Sequence, residues 1–250
     1  MTPVLAVAKM EGGRMLQSRR GLLWLTAYSA VLSAFALLLV SNTELSLLDN
    51  AQVVYMMAGA ITAAGAMLSV ILGCDAFAGE KERGTLVPLL CTPIKRDGLL
   101  MGKALGLLLN WVAMYVLALP YLWAVGASGQ NLGPALLYLA LFGTFVVLGF
   151  GYLAMYLSAR TGSVMASLLG SLMILFLAAS PLVIGPGLRA SAVGRILDAV
   201  NPFAGALNTF DSVIIDSEPF THQAGRLALV TLWLAITFLA ARRGAGNPKF

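Results

Sequence analysis

Charge is what this sequence has least of. Only 11% of its 250 residues are Asp, Glu, Lys or Arg, against about 25% in soluble domains, and 59% are hydrophobic. A water-soluble globule of that composition would expose more apolar surface than a monomer tolerates, so that class is excluded. Cysteine is nearly missing. Cys74 and Cys91 are the only two, too few for a disulfide scaffold. The single His222 cannot build a metal site, and all three read as structural residues. Catalytic and nucleotide signatures are absent as well. The nearest string to a phosphate loop, Gly98-Leu-Leu-Met-Gly102-Lys103-Ala104, has three residues between its glycines. That is too few, and an alanine follows the lysine where Ser or Thr is needed. There is no HExxH, GxSxG or pair of intramembrane carboxylates. The acid nearest an apolar run is Asp75, which leaves a proton relay without carriers. The chain is expected to be no enzyme and to hold no metal or cofactor of its own.

What it has is apolar length. Six runs stand out, at 22–40, 53–72, 105–125, 134–157, 164–184 and 227–241, the last stretched back to 225 because it is short. Most approach the ~20 residues that cross ~30 Å of hydrocarbon. The alternation of barrel strands is missing, so all read as helices. Arg226 and Arg242 flank the last run and can extend to the interfaces. The expectation is a polytopic all-α membrane protein, one domain over 1–250, with six transmembrane helices. The first run is too long for a signal-peptide core and is expected to stay as a helix. The two halves show no matching pattern of charge, glycine and proline, so the inverted-repeat logic of secondary transporters finds no support.

Basic residues set the orientation. Alternate connections hold Lys9, Arg14, Arg19 and Arg20; Lys81, Arg83, Lys95, Arg96 and Lys103; Arg160; and Arg242, Arg243 and Lys249. The other set holds only Arg189, Arg195 and Arg226. Thirteen against three is a strong positive-inside bias, so both termini are expected in the cytoplasm. Before the first run, 4–20 places Leu5, Ala8, Met15 and Leu16 on a loose helical face. Gly12-Gly13 weakens it by about 1 kcal/mol per glycine. It reads equally as a helix along the inner membrane surface or as a frayed tail. Small residues recur at Gly98, Gly102 and Gly106, at Gly59, Ala63, Met67 and Ser69, and at Ser163, Ser167 and Ser171. Such series suit close helix packing.

Polarity concentrates at 79–98, GEKERGTLVPLLCTPIKRDG. Gly84 interrupts the chain, Thr85 can cap a short helix from Leu86, and Pro88 sits where its missing N–H does no harm. Leu86, Leu89 and Leu90 share one face at i, i+3 and i+4, and Thr92-Pro93 ends the element. Such a stub reads as something a cytoplasmic partner grips. Between the fifth and sixth runs lie about forty residues, long for a structureless loop. Ser191 can cap a helix with Val193, Ile196, Leu197 and Val200 on one face and Arg195 and Asp198 on another. Asn201-Pro202 ends it. Phe203, Leu207, Phe210 and Ile214 then follow at near-helical spacing. Two short amphipathic helices cannot span the bilayer but can dip into the outer leaflet and return.

The string Glu80-Lys81-Glu82-Arg83-Gly84-Thr85-Leu86, then Leu89-Leu90-Cys91-Thr92-Pro93 and Gly102-Lys103, resembles the signature of ABC-2-type transporter permeases. That family usually reads E-x-E-R-G-T-L-E-x-L-L-x-T-P; here Val87 replaces the last Glu and Pro88 follows it. The resemblance implies the membrane subunit of an ATP-driven exporter in the bacterial inner membrane. About 85–91 would be the coupling helix, with Glu80, Glu82, Arg83, Gly84, Thr85, Leu86, Leu89, Leu90, Thr92 and Pro93 as the ATPase-coupling residues. Partners would be two cytoplasmic ABC ATPase subunits, which bind the ATP and Mg, a second permease copy or homologue, the lipid bilayer, and in some systems a periplasmic accessory protein. Nucleic acid is not among them. The same resemblance implies a re-entrant helix pair near the outer exit, matching a lid formed by Val193, Ile196, Leu197, Val200, Asn201, Pro202 and Phe203. Two rival readings are an anchor that recruits a soluble partner without transport, and a secondary transporter.

Overall fold

Long apolar sequences with few helix breakers satisfy their backbone only as helices in hydrocarbon, and helices account for this chain. The computed structural model describes residues 3–41, 50–91, 94–126, 132–183, 196 and 199–246. Helix α1 is Pro3–Gln17 and α2 is Arg19–Ser41. Helix α3 runs Asn50–Glu82, with a π-helical turn at Asp75–Gly79. The short α4 is Leu86–Leu90, and α5 is Arg96–Gly126. Helix α6 runs Leu132–Arg160 with a π turn at Leu139–Gly143. Helix α7 is Val164–Val183. Helix α8, Pro202–Phe210, continues into a π turn at Asp211–Ile215, and α9 is Ala224–Gly246. No strand occurs among the described residues.

Five of these helices, α2, α3, α5, α6 and α9 with the 3-10 turn before it, are long and apolar enough to cross a membrane. The fifth apolar run of the sequence forms α7, whose qualifying apolar stretch, Val164–Ser180, is shorter than the others. The last run, read as short from sequence, is not: α9 extends five residues beyond the run's expected end at 241, to Gly246. Its final turn is tied down at the polar end. Arg242 forms a two-bonded pair with Asp97, at 3.1 and 2.7 Å, and Arg96 donates to the Gly246 carbonyl.

Helix α6 lies at the centre, packed between α3 and α9. Within a bilayer, lipid tails are as apolar as leucine, so tight backbone approach and hydrogen bonds hold helices together. The glycines of this chain supply the approach. A Cβ on Gly65 would overlap the ring of Trp111, and one on Gly149 would lie 2.7 Å from the Trp233 indole. A Cβ on Gly73 would lie 2.5 Å from the Gly151 carbonyl oxygen, and one on Gly151 would strike side-chain atoms of Leu107 and Ser69. Hydrogen bonds add to this: Trp111 Nε1 donates to Thr144 at 2.7 Å, and the Tyr121 hydroxyl meets Ser29 at 2.5 Å and Ser33 at 2.9 Å.

The amphipathic lead-in is a helix and not a frayed tail. Helix α1 packs along the first half of α5, with Val7, Ala8, Gly12 and Met15 buried. The seam is the Gly98, Gly102, Gly106 series. A Cβ at Gly102 would sit 2.6 Å from Val7 Cβ, and one at Gly106 would sit 2.5 Å from Glu11 Cβ. The elbow between α1 and α2 also has a local cause. Ser18 Oγ accepts from the Gly21 N–H at 3.0 Å, and any Cβ on Gly21 would collide with the Met15 backbone.

One consequence of this topology is a shared polar end. Helix α1, the end of α3, α4, the start of α5, the start of α7 and the end of α9 meet there through the contacts above and below. Most of the basic residues that the sequence places in alternate connections belong to these elements.

Candidate functional site

The polar stretch 79–98 builds its geometry from the end of α3. A π turn takes in one extra residue and frees a carbonyl and N–H groups from the regular ladder. At Asp75–Gly79 the side chain of Ser158 on α6 fills that gap. Its hydroxyl donates to the Cys74 carbonyl at 2.6 Å and accepts from the Phe77 and Ala78 N–H groups at 3.1 and 2.8 Å. The extra residue advances the last turn of α3, which bears on where Glu80, Glu82 and Arg83 point.

Glu80 turns inward. Its side chain is 3% exposed and lies 2.8 Å from Arg14 and 3.6 Å from Lys103. The Thr85 hydroxyl donates to its other oxygen at 2.6 Å. Lys103, 1% exposed, forms a 2.6 Å pair with Glu11, and its ammonium lies 5.7 Å from the centre of the Phe77 ring. Arg14 completes the ring at 3.5 Å from Glu11. Two acids and two bases thus neutralise one another at the junction of α1, α3 and α5. Such burial is tolerable only because every charge is paired and hydrogen-bonded. The hydrogen bond that Arg14 donates to Glu80 raises the Arg14 pKa above its ordinary value, against the smaller downward push of burial.

Glu82 points elsewhere. It accepts the Val164 N–H at 2.8 Å, while Ser163 accepts that of Met165 at 3.2 Å. Carboxylate and hydroxyl together cap α7, where the helix dipole favours negative charge. Arg83 folds back on Asp75 with bonds of 3.0 and 3.1 Å. Gly79 lies under this pair and a Cβ there would strike it. Gly84 adopts φ +68, the left-handed conformation a glycine takes at low cost, and so reverses the chain into α4.

The helix expected from Leu86 is therefore present, with two differences from the sequence reading. Thr85 does not cap it with its side chain: the hydroxyl donates backward to Glu80, both to the carbonyl at 3.2 Å and to the carboxylate. The charged Glu80 carboxylate is the stronger acceptor and takes the Thr85 hydroxyl. The apolar face also points inward. Leu86 is buried with Val7, Phe77, Leu99 and Leu100, and Leu89 packs partly on the same cluster. Among the described side chains, the outward side carries Arg83, Pro88 and Cys91. Thr92 and Pro93, and the side chain of Leu90, fall outside the described residues.

At the opposite end α8 is held by Asn201, whose Oδ1 accepts from Phe203 and Ala204 at 3.0 and 3.4 Å. Its Nδ2 donates to the Ala178 carbonyl of α7 at 2.6 Å. Pro202 takes the first helical position. Phe203, Leu207, Phe210 and Ile214 are all buried; Phe203 stands edge-on to Phe150 with ring centres 6.4 Å apart. Arg226 donates to the Asn208 carbonyl, Ser212 and Gln223, at 2.9, 2.8 and 2.7 Å, tying α8 to α9. Of the expected lid face, Ile196 and Val200 are exposed, and Val193 and Leu197 lie outside the described residues.

Sequence reasoning missed the ring of charges. Glu11 is the only acid before Glu44, and Lys103 stands one residue from a glycine at the start of an apolar run. Those two oddities were the available signal. Nothing in the spacing says that they are partners, because 92 residues separate them.

The comparisons bear on the same architecture. The family model for ABC-2 family transporter proteins matches residues 5–242. The chain belongs to the ABC-2 transporter family. The match takes in α1 to α9, including the charge ring and the stub α4, and membership implies association with ABC ATPase partners in general. As an ABC-2 family protein with several membrane-length helices it is a multi-pass membrane protein. A search of curated proteins returned no match.

Proposed function

We propose that this ABC-2 family protein is the permease subunit of an ATP-driven exporter in the bacterial inner membrane. It pairs with a second permease to form the path, and α4 is the coupling helix that docks a separate ATPase, which binds the ATP and Mg. The observation that supports this best is the wiring of the signature residues. Within six residues, Glu80 joins α3 to α1 and α5, Glu82 joins it to the start of α7, and Thr85 joins the stub to Glu80. A push on α4 would therefore reach four other helices through buried or charge-assisted contacts, which are short and stiff compared with a solvated loop. The polar end is cytoplasmic in this reading, and α7 completes six spans. Helix α8, with Ile196 and Val200 before it, is the outer lid.

Co-expression with the cognate ATPase tests the proposal. Pro88→Arg changes only the outward side of α4, so it should abolish co-purification of the ATPase while the permease accumulates normally in the membrane. Undiminished co-purification would rule out α4 as the docking element. A reporter that is active only in the periplasm, fused after Phe250, should stay dark; a bright one defeats the orientation. If the ATPase binds and no substrate moves in any transport assay, the anchor reading takes over.

A further inference from the structure

A cavity of about 450 Å3 opens beside the charge ring, between the α1–α2 elbow, the end of α3 and α5. Its lining divides into two kinds of surface. Arg14, Arg20, Arg83 and Lys103 line the polar part, opposed there only by Glu11 and Asp75. Trp24, Leu72, Leu107 and Met155 line the rest. Three of the four cations are matched: Arg14 and Lys103 within the ring, Arg83 by Asp75. Arg20 has no ion pair or hydrogen bond among the described residues. Deeper in, Asn110 also lines the cavity. It stands seven residues beyond Lys103, about 10 Å along the helix. It is 4% exposed, and its Oδ1 has no hydrogen-bond partner. A buried amide oxygen left unpaired is costly, which is a reason to expect something there to pair with it.

We propose that this cavity binds the phosphodiester headgroup of an anionic phospholipid. Arg20 meets the phosphate, Asn110 Oδ1 accepts from a hydroxyl of the headgroup, and the apolar wall takes the first carbons of an acyl chain. Arg20 is the second of the basic pair Arg19-Arg20 at the start of the membrane-length helix α2, the level at which lipid phosphates lie. This favours a lipid over a soluble phosphate compound. The inference rests on α2 crossing the membrane, not on α4 docking an ATPase, so the two stand or fall separately.

The test is native mass spectrometry and thermal melting of the purified full chain in nanodiscs of phosphatidylglycerol or phosphatidylcholine, with inorganic phosphate as the soluble probe. Wild-type protein should retain phosphatidylglycerol on ejection and melt higher in it than in phosphatidylcholine. Arg20→Ala should weaken retention about tenfold, the size of one charge-assisted hydrogen bond. Asn110→Leu, which fills the polar position without removing a charge, should weaken it also. Arg19→Ala, outside the cavity lining, should not. Melting in phosphatidylcholine reports folding of each variant independently of the lipid. Equal retention by wild type and both variants overturns the proposal, as does loss with Arg19→Ala of the same size, which would mean diffuse charge attraction. Stabilisation by inorganic phosphate with no preference between the two lipids would place a soluble ligand there and refute the lipid.

Discussion

Replacing Lys103 by methionine isolates the energetics of the charge ring. Methionine keeps the length of the lysine stem beside Phe77 and removes only the charge. In the wild type, Glu11, Arg14, Glu80 and Lys103 sum to zero. The substitution leaves two carboxylates facing Arg14 alone, and one of them, Glu80, is 3% exposed. Breaking a buried pair costs about 3–5 kcal/mol. Arg14 is 45% exposed and remains beside both acids, which puts the expected loss near the lower bound, about 3 kcal/mol. Adding Glu11→Gln restores neutrality: Glu80 still has Arg14 at 2.8 Å and Thr85 at 2.6 Å. The double variant should therefore recover about 2 kcal/mol relative to the single, a coupling typical of residues in one network. Reversible unfolding in mixed micelles measures both. A Lys103→Met variant within about 0.5 kcal/mol of wild type, or a double variant whose losses simply add, would refute the ring as a unit.

Gly102→Val should detach α1, because its Cβ would lie 2.6 Å from Val7 Cβ; protease cleavage within 3–17 reports this, and Val7→Ala should partly restore protection. Ser158→Ala orphans the Phe77 and Ala78 N–H groups of the π turn and should cost about 1–3 kcal/mol, measured by the same unfolding assay. A bulky maleimide should modify Cys91, which is exposed, and spare Cys74, which is buried. The modified protein should fail to bind the ATPase, and Cys91→Ser should bind it whether or not the reagent is present.

Composition and charge placement by themselves determined much of this protein. Apolar runs of membrane length force helices, since no other open structure satisfies the backbone in lipid. The signature from Glu80 to Pro93 pointed to the family, and Gly84 and Asn201-Pro202 marked breaks between helices for local steric reasons. These are short-range effects, and a sequence carries them directly. What only the tertiary structure decided is direction and partnership. Leu86 has the spacing of a docking face, yet it turns inward because Val7, Phe77 and Leu99 offer a surface that the stub alone cannot reveal. Thr85 has the position of a cap, yet it serves Glu80, whose burial depends on α1 and α5 arriving from 66 and 23 residues away, as Arg14 and Lys103 do. A charged residue's surroundings are set by which helices pack beside it, and that choice is made by glycines such as Gly102 and Gly106, each meeting a helix far off in the chain.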